Sequence, residues 1–322
     1  MPTSIVIVIS LWALGGAALL SSVLLPLFLN SKTLTLAAVQ QNQSWPNQSY
    51  RQAGTPSSTK LAFASLPGFT RSTVQRTYAL ITPESHVYQR NPLVDDGSTA
   101  HLISPAMGAN FAMYYVRLGS QGRLSSPKDV GIERFVICLD GRVRVKASAG
   151  AGAEETDSVV EVGGFSYMPA NASYVIQNDM KHKNDIDKTV LLVFERENKI
   201  LGVNAGYRFG EIDEQPILPS SPEVFTLRKL MPDTPEYDFN IHVMDFRPGE
   251  HLQVKEVHYN QHGLLMVSGG GVYRLGDDWY PVTAGDVIWM APFVPQWYGA
   301  LGGETTRYIL YKDTTVDPVL GA

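Results

Sequence analysis

The chain has one cysteine among its 322 residues, Cys138, which excludes an intrachain disulfide. Its setting, Phe135 to Leu139, reads as a buried strand, and no base stands nearby in sequence to activate the thiol. There is no basic excess. The 26 Lys and Arg stand against 31 Asp and Glu, a formal charge of −5, which argues against nucleic acid as a partner. Charged residues make up 18% and hydrophobic ones 44%, a balance that excludes a disordered chain. Charge is missing altogether from Met1 to Ser31, and Lys32 is the first ionised side chain.

The uncharged stretch is mostly apolar from Ile5 to Leu29 and reads as a signal peptide or signal anchor over residues 1–38. Roughly 20 apolar residues suffice to cross a bilayer. Gly15, Gly16, Ser21, Ser22 and Pro26 weaken a permanent span, and Ala37 and Ala38 offer a cleavage point. The expectation is entry into the secretory pathway, with membrane attachment only through this segment if it is retained. Acceptor sequons at Asn42, Asn47 and Asn171 fit that route. Residues 39–60 read as a polar linker.

What is abundant is glycine (28), proline (20), valine and tyrosine, the composition of many short strands and turns. The strands recur. Phe111–Arg117, Phe135–Leu139, Val143–Lys146, Gly164–Met168 and Leu191–Glu195 are echoed by Asn240–Phe246, Gly263–Val267, Val272–Leu275, Asp286–Met290 and Tyr308–Lys312. Gly150 to Asp157 reads as a loop, and Val159 to Met168 as one further stretch of strand. A duplication of this kind predicts an all-β chain of two antiparallel jelly-roll barrels with few short helices. The expected units are a first barrel over 61–210, a proline-rich linker over 211–235 and a second barrel over 236–322. Within that linker Val224–Leu230 reads as a short strand that packs across.

The chemistry concentrates in Gly249 to Gly269. Glu256 and His258 are two apart, so on a strand they share a face, and His262 has the same parity. A straight strand would hold Glu256 and His262 about 20 Å apart. Metal bonds of roughly 2.0–2.2 Å cannot span that, so one ion would require the chain to fold back within Tyr259–Gln261. The pattern resembles the first motif of the cupin superfamily, with its carboxylate and last imidazole exchanged and Gly269 closing it. Gly285, Asp286 and Pro292 resemble the second motif, and the place of its last ligand holds Gln296. The resemblance thus implies a tandem cupin (bicupin) with a Glu256, His258, His262, Gln296 ligand set.

Aligning Gly141 with Gly269, and Gly163 with Gly285, offers a comparison inside the chain. The four positions become Lys128, Val130, Arg134 and Tyr174. Two cations repel a third, so the first barrel is expected to carry no metal site. A carboxylate, two imidazoles and an amide suit Mn or Fe better than a soft thiolate site would. Tyr308 and Lys312 are four apart on one strand face, and Lys312 could hold a substrate carboxylate. Taken alone, it reads slightly better as a surface lysine on the last strand.

Longer segments carry a closer resemblance: Leu66–Ser72, Ala79–Tyr88, Tyr237–His242, Lys255–Leu265 and Ala284–Tyr298. Over about Leu61 to Asp313 the chain resembles the plant (S)-ureidoglycine aminohydrolase family, bicupins of purine catabolism. The resemblance implies a Mn(2+) enzyme that hydrolyses (S)-2-ureidoglycine to (S)-ureidoglycolate and ammonia during allantoin breakdown. It implies metal ligation by Glu256, His258, His262 and Gln296. It also implies substrate contacts by Glu256, Gln296, Tyr308 and Lys312, with Glu256 and Lys312 as the catalytic pair. The expected compartment is the lumen of the endoplasmic reticulum, and the expected assembly a homo-oligomer. Two other readings stay open on the residues alone: an Fe(II) cupin dioxygenase, and a non-enzymatic storage or binding bicupin.

Overall fold

Alternation builds the sheets. In Arg142–Ser148, Val143, Val145 and Ala147 are buried while Arg142, Arg144 and Lys146 reach toward water. The structure is a computed structural model describing residues 68–127, 131–148, 155–180, 189–198, 205–219 and 224–314. The expected leader, the polar linker, Lys128 and Val130 lie outside the described residues.

Nineteen strands and two 3-10 turns, Pro83–Ser85 and Pro105–Met107, make up the regular structure, with no α-helix among the described residues. The nine strands from Val94–Ile103 to Arg208–Glu211 form one curled sheet. It wraps a core that includes Val116, Val136, Cys138, Val145, Ile176 and Leu191. A seven-stranded and a three-stranded sheet form the second barrel around Leu264, Met266, Tyr273, Ile288, Tyr298 and Tyr308. A third core joins the two barrels: Phe111 stacks on Tyr311 at 4.0 Å, and Phe135 and Tyr167 meet Phe239 edge-on.

The duplication is visible in register. Arg134 pairs with Glu195 in the first barrel as His262 pairs with Lys312 in the second. Each following hairpin turns on a glycine with positive φ, +82° at Gly141 and +68° at Gly269. A Cβ on Gly269 would lie 2.7 Å from the Thr306 Cα, and one on Gly141 would meet Thr189, the corresponding residue.

The boundaries between the barrels differ from the sequence expectation. Thr73–Val74 and Tyr78–Ile81, expected with the first barrel, pair into the second: Ala79 lies opposite Trp289 and Leu80 opposite Ile288. The reason is an open edge. Val287–Met290 bonds Leu265 to His262 on one side only, and Tyr78–Ile81 satisfies the other side. Arg71 then clamps the arm with a two-pronged ion pair to Asp286 at 2.9 and 2.6 Å. The expected linker is also partly sheet. Arg208–Glu211 reaches its first residue and pairs with Gly164–Tyr167, and Thr226–Lys229 edges the second barrel against His242–Asp245. Glu155–Asp157, expected in a loop, begins a strand paired to Lys146–Ser148. The stretch from Val159 to Met168 is broken by a turn at Gly163 (φ +86°). Val94–Ile103 was not foreseen: Asp95, Asp96 and Gly97 interrupt its apolar run, where a register shift bulges the strand.

Candidate metal centre

The fold-back required between Glu256 and His262 is made by backbone bonds across the barrel mouth. Glu256 N–H donates to the Gln296 carbonyl at 2.9 Å, and Gln296 N–H donates back to Glu256 at 3.0 Å. Phe293 N–H donates to the His258 carbonyl at 2.7 Å. The chain then turns through Tyr259–Gln261 and enters the strand His262–Ser268. Glu256 and Gln296 are thereby side by side, and His258 and His262 close the group.

Ligand atoms of Glu256, His258 and His262 all lie within 4.8 Å of one another. The two Nε2 atoms are 3.2 Å apart, the Gln296 amide nitrogen is 3.1 Å from His258 Nε2, and Glu256 Oε2 is 3.7 Å from it. Donors at right angles around an ion with bonds of about 2.1 Å sit about 3.0 Å from each other. The His258–His262 and His258–Gln296 spacings are therefore those of neighbours in one coordination shell, with Glu256 somewhat wider at 3.7 Å. Gln296 Oε1 accepts from the Tyr273 hydroxyl at 3.3 Å. A half-turn of the amide exchanges its ends, so that the oxygen faces His258 and the NH2 group donates to Tyr273.

His262 is set for ligation by what holds its other nitrogen. Nδ1–H donates to the Tyr311 carbonyl at 3.2 Å, which leaves the lone pair on Nε2. Burial, followed by the charges of His258 and Lys312, keeps its pKa well below the usual imidazole value, so the ring is neutral. The strand beneath is fixed by a buried ionic network. Arg196 Nη1 donates to the Tyr311 hydroxyl at 2.8 Å and to Asp313 Oδ1 at 2.9 Å. The other Asp313 oxygen accepts from Asn110 Nδ2 at 3.0 Å and from Gln261 N–H at 3.3 Å, tying the ligand turn to both barrels.

The interior of the second barrel has rungs of opposed residues. One runs Asn240, Lys312, His262, Met290, and the next runs Lys229, His242, Leu310, Leu264, Ile288. Lys312 is thus a direct neighbour of His262, half-buried, with its pKa lowered by burial against the opposing pull of Glu256. Tyr308 shares this interior face four residues along, with its ring against Phe246 at 5.3 Å and Tyr298 at 5.7 Å. His242, Asn240 and Lys229 escaped sequence reading. The available signal was parity with Lys312 across paired strands, which needs the register to be known.

The corresponding place in the first barrel holds a fixed cation. Arg134, fully buried, donates to Glu195 from Nε at 2.5 Å and to the Ser125 carbonyl at 2.8 Å, beside the Tyr174 ring. A guanidinium stands at the position of His262, and Glu195 at that of Lys312.

Two barrels of this topology define a bicupin, one of them with two histidines and a glutamate gathered at its mouth in an arrangement that could hold a metal ion. The chain belongs to the (S)-ureidoglycine aminohydrolase family. It is 47% identical to a probable (S)-ureidoglycine aminohydrolase of Oryza sativa over 84% of each chain. It is 45% identical to the (S)-ureidoglycine aminohydrolase of Arabidopsis thaliana, over 88% of this chain and 91% of that one. Among solved structures, protein Ylba of E. coli superposes with a TM-score of 0.65 at 25% identity, covering 77% of this chain and 96% of that one. No protein-family model matches the chain.

Proposed function

We propose that this protein hydrolyses (S)-2-ureidoglycine to (S)-ureidoglycolate and ammonia, with Mn(2+) held by Glu256, His258, His262 and Gln296. The observation that supports it most is the convergence of those four side chains at coordination-shell spacing, in a chain of this family. The set fits a borderline-to-hard divalent ion, since it combines imidazole nitrogens with amide and carboxylate oxygens and contains no thiolate. When bound, the ion supplies Lewis acidity and a template for a chelating substrate.

The substrate carries a carboxylate, an amine and a ureido nitrogen on one carbon. Lys312, on the rung beside His262, pairs with the carboxylate and sets which way that carbon faces. Tyr308 donates from the same interior face. Replacing the amine by hydroxyl requires one proton delivered to the departing nitrogen and one removed from the entering water. Glu256 serves for one of these transfers, since it lies at the edge of the ligand group with its side chain about a third exposed. The uncharged amino-terminal stretch supports a lumenal site of action in the endoplasmic reticulum. The test is ammonia release from freshly generated ureidoglycine with and without added Mn. Turnover that needs the metal supports the reading, and its absence under both conditions overturns it.

A further inference from the structure

His242 is used by none of the steps above, yet it is a buried polar side chain of the second barrel. It is 8% exposed, and its buried Nε2 finds no hydrogen-bond partner among the described residues. An imidazole nitrogen left bare in an interior costs free energy. On its strand His242 faces inward, opposite Lys229 on one side and Leu310 on the other. It therefore sits one rung below Lys312 and His262, about 7 Å deeper along the barrel wall. The charges of Lys312, Lys229 and Asp233 act on it, and it in turn acts on His262. Burial and the two ammonium groups push its pKa down to about 3, so the ring is neutral.

We propose that His242 determines specificity by hydrogen bonding the ureido arm of the substrate through Nε2. The inference rests on the function proposed above and extends it to a residue. Once Lys312 takes the carboxylate and the reacting carbon lies at the ligand group, the long uncharged arm must go elsewhere. On the next rung Leu310, Leu264 and Ile288 are apolar and the Lys229 ammonium is paired with Asp233, so the buried polar atom left to receive the arm is the bare Nε2. An uncharged imidazole suits an uncharged carbamoyl group, because it neither competes with Lys312 for the anion nor leaves a charge buried. A site built to bond a polar arm rejects ligands that lack it.

The test compares two acids on the Mn-loaded full chain. Ureidoglycolate has the arm and glycolate lacks it, and both offer the carboxylate. In wild type, ureidoglycolate should bind the tighter. In His242→Phe its affinity should fall about 10- to 100-fold, while glycolate stays within about twofold and metal content is unchanged. His242→Asn, which keeps a hydrogen-bonding group, should recover part of the loss, and it decides the matter if the Phe variant does not fold. Equal weakening of both acids, no weakening of either, or a wild type indifferent between them overturns the assignment. A wild type that prefers ureidoglycolate but releases no ammonia sinks the proposed reaction and leaves His242 in place. Turnover without discrimination sinks His242 alone.

Discussion

Replacing Arg71 by Met should destabilise the second barrel by about 3–5 kcal/mol, the cost of leaving one member of a buried ion pair alone. Asp286 has a fully buried side chain, and its carboxylate accepts both Arg71 prongs and the Thr283 N–H at 2.9 Å. The substitution removes the counter-charge and leaves one backbone donor. At about 2–4 °C per kcal/mol for a unit of this size, Tm should fall by about 6–20 °C. Burial is the leading cause that holds the Asp286 carboxyl above its usual pKa, even with Arg71 in place. A carboxyl raised in the folded state gives its stability at low pH and loses it as pH rises from about 4, the unfolded value, through the folded one. Loss of Arg71 raises the Asp286 pKa further, so the difference between variant and wild type should be smallest in acid, grow as pH passes the folded pKa of the wild type, and level off above that of the variant. Urea unfolding at several pH values reads this directly. Adding Asp286→Asn to the variant should recover at least half of the loss. A deficit below about 0.5 kcal/mol, or one that does not change with pH, would refute the argument that the arm is held by charge.

Other consequences concern the site. Arg196→Met removes the donor to the Tyr311 hydroxyl and to Asp313, in the strand whose Tyr311 carbonyl orients His262. Metal affinity should drop about 10- to 100-fold, measured by competition with a chelator, although Arg196 is no ligand. Lys312→Met should keep the metal and raise KM for ureidoglycine by at least about tenfold, because a charge-assisted contact to the carboxylate is worth about 1.5–3 kcal/mol. An unchanged KM in steady-state ammonia release would remove Lys312 from substrate binding. Arg134→Leu in the first barrel should lower Tm, since Glu195 loses its partner, yet leave metal stoichiometry unaltered in elemental analysis.

The sequence carried the architecture because the two halves repeat strand by strand, and strict alternation, as in Val143–Lys146, marks a strand wherever it occurs. The gathering of Glu256, His258 and His262 was legible for a related reason: parity gave them one face, and a single shared ion would require a turn between them. The sequence did not show how the barrels exchange material. Tyr78–Ile81 is an unremarkable apolar run, and its preference for the distant strand Val287–Met290 follows from an open sheet edge, which no local pattern reports. The Arg71–Asp286 clamp spans 215 residues and is invisible for the same reason. His242 shows the limit most clearly. Its place beside Lys312 depends on how two strands are registered, and sequence reports each strand's faces without saying which residues meet.

Metal-stripped protein offered ureidoglycine, before and after Mn is restored, addresses the central claim most directly when wild type and His258→Ala are run together. Wild type should release ammonia only after Mn returns, and the variant should release none at any Mn concentration that saturates wild type. Full turnover by the stripped wild type, or a variant that regains it, would rule out catalysis that depends on Mn held by His258.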